Sequence, residues 1–409
     1  MMPSHLPTVR VGFVETLRAI VGDKGALMLL VAAPLFYAFF YPWFFATEVI
    51  TQVPVAVIDQ DHTALSRQIH RLVLANPRIE VKTLGSDEQE AQLAMRLGAI
   101  DGYLLIPRDL KAVVAKGLPA TVTVVSNGAY PILSKAVQYG FAEAVGAASA
   151  GVEIRQREAK GQSPRQASES RTPVDFQAIA LFNPTEGYSS FIVPAVAMLI
   201  LHQTLMMGVG MLVATWAEQG SAHARPAVWV GRWLAFVVPG LVAGLFYFGW
   251  VFWLHGFARA GNLTGSLVFL PLYLAAIVTL GSLLGLWCAN RERVLQVMLF
   301  STLPLAFLAG FSWPPEALPT ALQSLRWLLP STAGVQAALR LNQMGAPLQD
   351  VMPHLAALLG LAVLAGGVAI RVGRAPHGDR PALTRQRSTI SHCTGRQERY
   401  PPQELGDNA

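Results

Sequence analysis

The chain has 409 residues, of which 53% are hydrophobic and 14% charged, with a formal net charge of +6. Soluble domains carry roughly a quarter charged residues, so this composition excludes an ordinary cytosolic globular protein. Residues 48–186 hold 14 basic and 15 acidic groups against 17 and 10 elsewhere, so the positive excess lies outside that segment and needs no nucleic-acid partner.

Residues 1–25 are expected to be a cytoplasmic segment. Within it Val9, Phe13, Leu17, Ile20 and Val21 recur near one helical face, with Arg10 and Arg18 off that face. The pattern predicts a helix lying along the inner membrane surface rather than a cytosolic extension of the first span. An uncharged apolar run follows at Ala26–Ala46. It matches the ~20 residues that cross a hydrocarbon core and is expected to be helical, because backbone amides in lipid must satisfy one another. Phe44 stands where a small residue would precede a signal-peptide cut, so the run is expected to stay as an anchor.

Residues 47–186 are too polar for a bilayer. Strand signals at Val53–Ile58, Ile79–Leu84, Gly102–Ile106 and Thr121–Val125 alternate with helix signals at Thr63–Leu74, Asp87–Leu97, Asp109–Ala115 and Pro131–Lys160. That alternation predicts a small α/β domain with mixed strand directions. Residues 161–174, rich in Ser, Gln and Pro, read as a polar linker.

Five further apolar runs occupy residues 187–370: Gly187–Ala217, Trp233–Leu254, Gly261–Asn290, Val294–Pro315 and Val351–Ile370. Only Arg291, Glu292 and Arg293 separate the third and fourth of these. Each arginine at a bilayer centre costs roughly 2.5–3.5 kcal/mol on insertion scales, so this triplet reads as a cytoplasmic turn between two spans. The predicted fold is therefore an α-helical integral membrane protein with six transmembrane helices and an inserted α/β extracytoplasmic domain. Residues 311–350 carry two shorter amphipathic stretches, about 316–329 and 332–344, separated by Pro330. They are expected to be re-entrant or interfacial where protein covers their backbone. Residues 371–409 form a basic polar tail expected to be disordered.

With both termini cytoplasmic, the inner segments hold fourteen basic residues, among them Arg10, Arg18, Lys24, Arg225, Arg232, Arg291 and Arg293. The short outer loops hold only Arg259, Arg326 and Arg340. This asymmetry satisfies the positive-inside rule and puts the insert outside. The two cysteines, Cys288 and Cys393, fall on the inner side, so the insert must fold without disulfides and no zinc site can be drawn.

The sequence contains no phosphate-binding loop, no H-E-x-x-H and no G-x-S-x-G, so an enzyme is not expected and no cofactor or metal should bind directly. His202, Gln203, Thr204 and Gln296 are polar positions inside spans, where they can bond a neighbouring helix or line a path. The pairs Gly240/Gly244 and Gly281/Gly285 allow close helix contact.

Several passages in their order resemble membrane subunits of the ABC-2 class of ABC transporters. Asn183 and Pro184 precede Phe191 and Pro194, with His202, Gln203 and Thr204 following. The Val294–Pro315 run ends with Leu308, Gly310, Phe311 and Pro314, Glu316 and Pro319 follow, and Pro330 and Arg340 come after. The pattern extends over residues 8–370. The resemblance implies a dimeric permease, formed with a second copy or a paralogue, that binds two copies of a separate ABC ATPase. ATP-Mg would sit on that partner. Coupling would run through the N-terminal helix (Arg10, Arg18), the segment Trp216–Arg232 (Glu218, His223, Arg225) and the turn carrying Arg291 and Arg293. The 311–350 segment, with Pro314, Glu316, Pro330 and Arg340, would close the outer end of the path. Export of drugs, lipids or envelope components from the bacterial inner membrane is implied, with a periplasmic adaptor as a further expected partner. The long basic tail departs from typical members. The alternatives are a membrane-anchored extracytoplasmic sensor, weakened by the lack of a cytoplasmic output domain, and a structural envelope protein.

Overall fold

The computed structural model describes residues 8–82, 87–171, 180–183, 186–259 and 261–373. Pro184, Cys393 and the tail beyond 373 lie outside the described residues.

Helix α1 (Val9–Gly22) ends at Asp23, whose extended backbone breaks the chain direction. The Asp23 carboxylate then accepts from Ala26 N at 2.9 Å and caps α2 (Lys24–Phe44). The buried residues of α1 are Gly12, Thr16 and Ile20, while Val9 and Val21 are exposed. The expected apolar stripe is therefore only partly the face that packs. Small residues win because they let α1 lie backbone to backbone on α9 (Pro226–Leu254): a Cβ at Gly12 would strike Val228 O, and one at Gly231 would strike Val9 O.

The polar insert contains a four-stranded sheet in the order β2-β1-β3-β4. Its strands are β1 (Val53–Asp59), β2 (Ile79–Val81), β3 (Gly102–Ile106) and β4 (Thr123–Ser126). β1 runs parallel to β2 and β3, and β4 runs antiparallel to β3. The central strands are buried on both faces. Val53 and Val55 meet α3 (Ala64–Leu74) and α6 (Pro131–Ala159) through Ile69, Val73, Val137 and Phe141. Ala56 and Ile58, one residue out of phase, meet α4 (Glu88–Arg96) through Ala91 and Ala94. Full burial of a side chain such as Ile58 contributes roughly 1.5–3 kcal/mol, so the two-residue period fixes the register. A short helix, α5 (Leu110–Ala115), follows β3.

Where a linker was expected, residues Pro164–Arg171 form helix α7. Ser163 and Gln166 exchange hydrogen bonds, Gln166 N to Ser163 Oγ at 3.3 Å and Ser163 N to Gln166 Oε1 at 3.2 Å. This capping box, with Pro164 in the first turn, offsets the poor apolar content.

The remaining helices are α8 (Tyr188–Glu218), α10 (Leu263–Cys288), α11 (Arg291–Leu308), α12 (Thr320–Leu325), α13 (Pro330–Ala338) and α14 (Leu348–Val372). Among the described residues, five helices are long and apolar enough to cross a membrane: α2, α8, α9, α10 and α14. Together with their apolar surfaces they make this a membrane protein. α11 has 18 residues, but its first turn is Arg291, Glu292 and Arg293, which lowers its apolar content below the others. α8 is buried along most of its length, and α10, α11, α13 and α2 pack around it. The expected close-packing glycines do sit at interfaces: a Cβ at Gly285 would lie 2.5 Å from Gly210 O, on α8.

Candidate functional site

The helices alternate in direction, which sorts their ends into two groups. One end gathers α1, the start of α2, the segment between α8 and α9, the start of α11 and the finish of α14. Its chief fastener is bidentate: Arg291 Nη1 and Nη2 donate to Asp23 Oδ2 and Oδ1 at 2.7 and 2.8 Å. The Arg291 hydrogen bonds hold the Asp23 carboxyl below its ordinary value of 3.8, against the opposing pull of partial burial. Asp23 thereby caps α2 and clamps the first turn of α11 at once.

A second fastener is Arg232, which lies over the rings of Trp216 and Trp229, 4.6 and 4.8 Å from their centroids. Its Nη1 donates to Ala222 O at 3.1 Å, so one guanidinium holds the 219–225 segment against α9. His223 Nδ1 lies 2.9 Å from Gly373 O. A carbonyl can only accept, so Nδ1 carries the proton, and the α8–α9 segment is tied to the finish of α14. Arg10, Arg18, Glu218, His223, Arg225 and Arg293 are exposed here, and Arg291 is half-buried. Of the residues expected at a coupling surface, Arg291 and His223 bond directly to other segments of this end. Asp23, Trp216, Trp229 and Arg232 were not anticipated as fasteners. The signal available was an acidic residue between two helix patterns and an arginine flanked by tryptophans at helical spacing.

Midway along the bundle, Gln203 Nε2 donates to Thr302 Oγ1 of α11 at 3.1 Å. Thr204 Oγ1 turns back to Ile200 O at 2.9 Å. Both ring nitrogens of buried His202 lack a hydrogen-bond partner among the described residues. Gln296 does not join this group: it is exposed on α11 beside Arg293 and Trp287, lining a recess of about 340 Å³. Three of the four expected mid-span residues therefore face the protein interior.

The opposite end is held by neutral amides and one carboxylate. Thr332 Oγ1 donates to Leu308 O at 3.0 Å, and Gln336 Nε2 to Ala309 O at 3.1 Å, satisfying the carbonyls left over where α11 stops. Pro194 has no N–H for the Ser190 carbonyl, which instead accepts from Gln343 Nε2 at 3.4 Å. Asn262 accepts from Gly265 N at 2.8 Å and donates to Ala346 O at 2.9 Å, joining the start of α10 to the chain after α13. Glu48 accepts from Ser190 Oγ at 3.1 Å at the start of α8, where anionic charge is favoured. Within the 311–350 segment, Pro314 and Glu316 lie in a surface turn before α12, which buries no residue. Pro330 opens α13, which is buried almost throughout, and Arg340 follows it half-buried. Only the second of the two short stretches enters the protein.

The sequence matches a family model described as ABC-2 family transporter protein over residues 24–371. It is 26% identical over 156 residues to a protein of Escherichia coli K12 named "Probable multidrug ABC transporter permease YbhR". That stretch covers 36% of this chain and 42% of the relative. The protein of the same name from Escherichia coli O157:H7 gives the same values. The aligned part therefore spans less than half the length of these relatives. No solved structure matches.

Proposed function

The chain belongs to the ABC-2 transporter family, and from that premise we propose that it is the permease subunit of an exporter driven by a separate ATPase. In this reading α11 serves as a further span despite its charged first turn, giving six with the five apolar helices. The end carrying Arg10, Arg18, Glu218, Arg225 and Arg293 faces the cytoplasm of a bacterial inner membrane. The α/β unit faces outward. Two permease copies, or this chain and a paralogue, enclose the path, and ATP-Mg is held by the partner ATPase. Drugs, lipids or envelope components are the substrate classes, and a periplasmic adaptor is an additional partner of the outward unit.

The observation that carries the reading is the joined surface at the charged end. α1, the 219–225 segment, the first turn of α11 and the finish of α14 are fastened to one another through Asp23, Arg291, Arg232 and His223. A rigid platform made from separate helices would transmit movement of a docked partner to several helices together. The test is co-purification with ABC ATPases from the same genome, followed by ATP hydrolysis with and without candidate substrates. A stable complex whose hydrolysis rises with substrate is expected. Failure of every ATPase to associate would overturn the proposal.

A further inference from the structure

Within the α/β unit, a cleft of about 500 Å³ opens between α3, α5, α6 and the turn 117–120. Most of its lining side chains are apolar, among them Leu65, Ile69, Leu110, Val114, Val145 and Val152, with Ser149, Glu153 and Gln156 as the polar ones. Leu118, on the same turn, is left largely exposed at its edge. A second recess of about 330 Å³ continues from it, sharing Leu65, Val152 and Gln156, and is lined by Gln68, Lys111 and Arg155. Arg155 is oriented by Gly151 O at 3.0 Å and by the side chain of Gln68. Lys111 is exposed and lines this recess, and its side chain makes no hydrogen bond or ion pair among the described residues. The one acidic side chain in the apolar part, Glu153, is already neutralised by Arg157 at 2.7 Å.

The two spaces together have the size of small-molecule sites, which run about 300–1,000 Å³. Apolar side chains outnumber polar ones in the first space, and two cations, Lys111 and Arg155, line the second. We propose that this cleft binds a single-chain amphiphile, its acyl chain in the chamber and its anionic head at Lys111 and Arg155. Each methylene taken from water contributes about 0.8 kcal/mol, so the chain supplies affinity and the cations supply orientation. If the export reading holds, the cleft is a receiving site for such molecules on the outer side. The proposal deepens that reading by naming a substrate class, and it can fail without it.

The test uses the full chain in lipid nanodiscs, labelled with photoactivatable palmitate and mapped by mass spectrometry. Labelled peptides are expected from residues 110–120 and 145–156, and unlabelled palmitate should compete whereas hexadecanol should compete weakly. Lysophosphatidylglycerol is run beside palmitate, and the better competitor identifies the head group. Lys111→Glu, an exposed substitution that leaves the core intact, should lower labelling of these peptides about tenfold, the scale of one charge-assisted hydrogen bond. Val145→Trp should remove it by filling the chamber. Labelling confined to transmembrane peptides, or labelling unchanged in Lys111→Glu, would overturn the proposal. Substrate-stimulated ATP hydrolysis measured in the same nanodiscs with the partner ATPase reports separately on the export reading.

Discussion

The two ends of the helical bundle are joined by different chemistry. At one end the fasteners are ionic or cationic: Asp23 with Arg291, and Arg232 over two tryptophans. At the other they are mainly neutral amides and hydroxyls that satisfy leftover carbonyls, with the Glu48 carboxylate accepting at the start of α8. Neutral bonds at helix ends are costly to leave unmade where they are buried, and they resist salt. Ion pairs that reach the surface are weaker and respond to ionic strength. Under the export proposal, the difference suits one end to hold its geometry and the other to be moved by a docked partner.

The largest expected effect tests the fixed end. Gly334 packs against Tyr273 so closely that a Cβ would enter its ring, and Tyr273 in turn donates to Met198 O at 2.9 Å. Gly334→Ala should destabilise the protein by about 1–3 kcal/mol, the usual cost of overpacking, read as a lower melting temperature in nanodiscs. An unchanged melting temperature would mean that α13 is not seated as described. Asn262→Ala comes next. It removes the cap on α10 and the link to Ala346, for about 1–2 kcal/mol that should be the same at low and high salt.

At the charged end, Arg291→Gln should cost about 1 kcal/mol, because the pair is partly exposed and screened. A double-mutant cycle with Asp23→Asn should show coupling that shrinks as salt rises. The pH response has a definite sign. The Asp23 carboxyl sits below 3.8 in the folded chain, so its contribution is complete above that value and disappears as pH falls through the lower folded value. Coupling that is insensitive to salt would erase the contrast between the two ends. The smallest effect is expected for Glu48→Gln, which keeps one accepting oxygen for Ser190 but loses the charge at the start of α8, for about 0.3–1 kcal/mol.

Much of this was readable in the amino-acid order. The run Val53–Ile58 and the Gly102–Ile106 strand stand out because buried central strands are continuously apolar, and both recur in β1 and β3. α7 was missed because its sequence has no apolar stripe, although Ser163 and Gln166 spell a capping box. The packing face of α1 was only partly anticipated, since hydropathy ranks Val9 and Val21 above Gly12 while close helix contact ranks them in reverse. At the charged end, Arg291 could be placed at a turn by its insertion cost. Its partner Asp23 lies 268 positions away, and no local spacing records such a contact.

The central claim is that the charged end is where the ATPase docks. It is tested most directly by placing the photo-crosslinker benzoylphenylalanine at the position of Arg18 or Arg225, with the position of exposed Trp313 at the other end as control. In membranes containing the partner ATPase, adducts to that subunit are predicted from Arg18 and Arg225 and not from Trp313. ATPase adducts from Trp313, or none from the charged end of an active complex, would contradict the account.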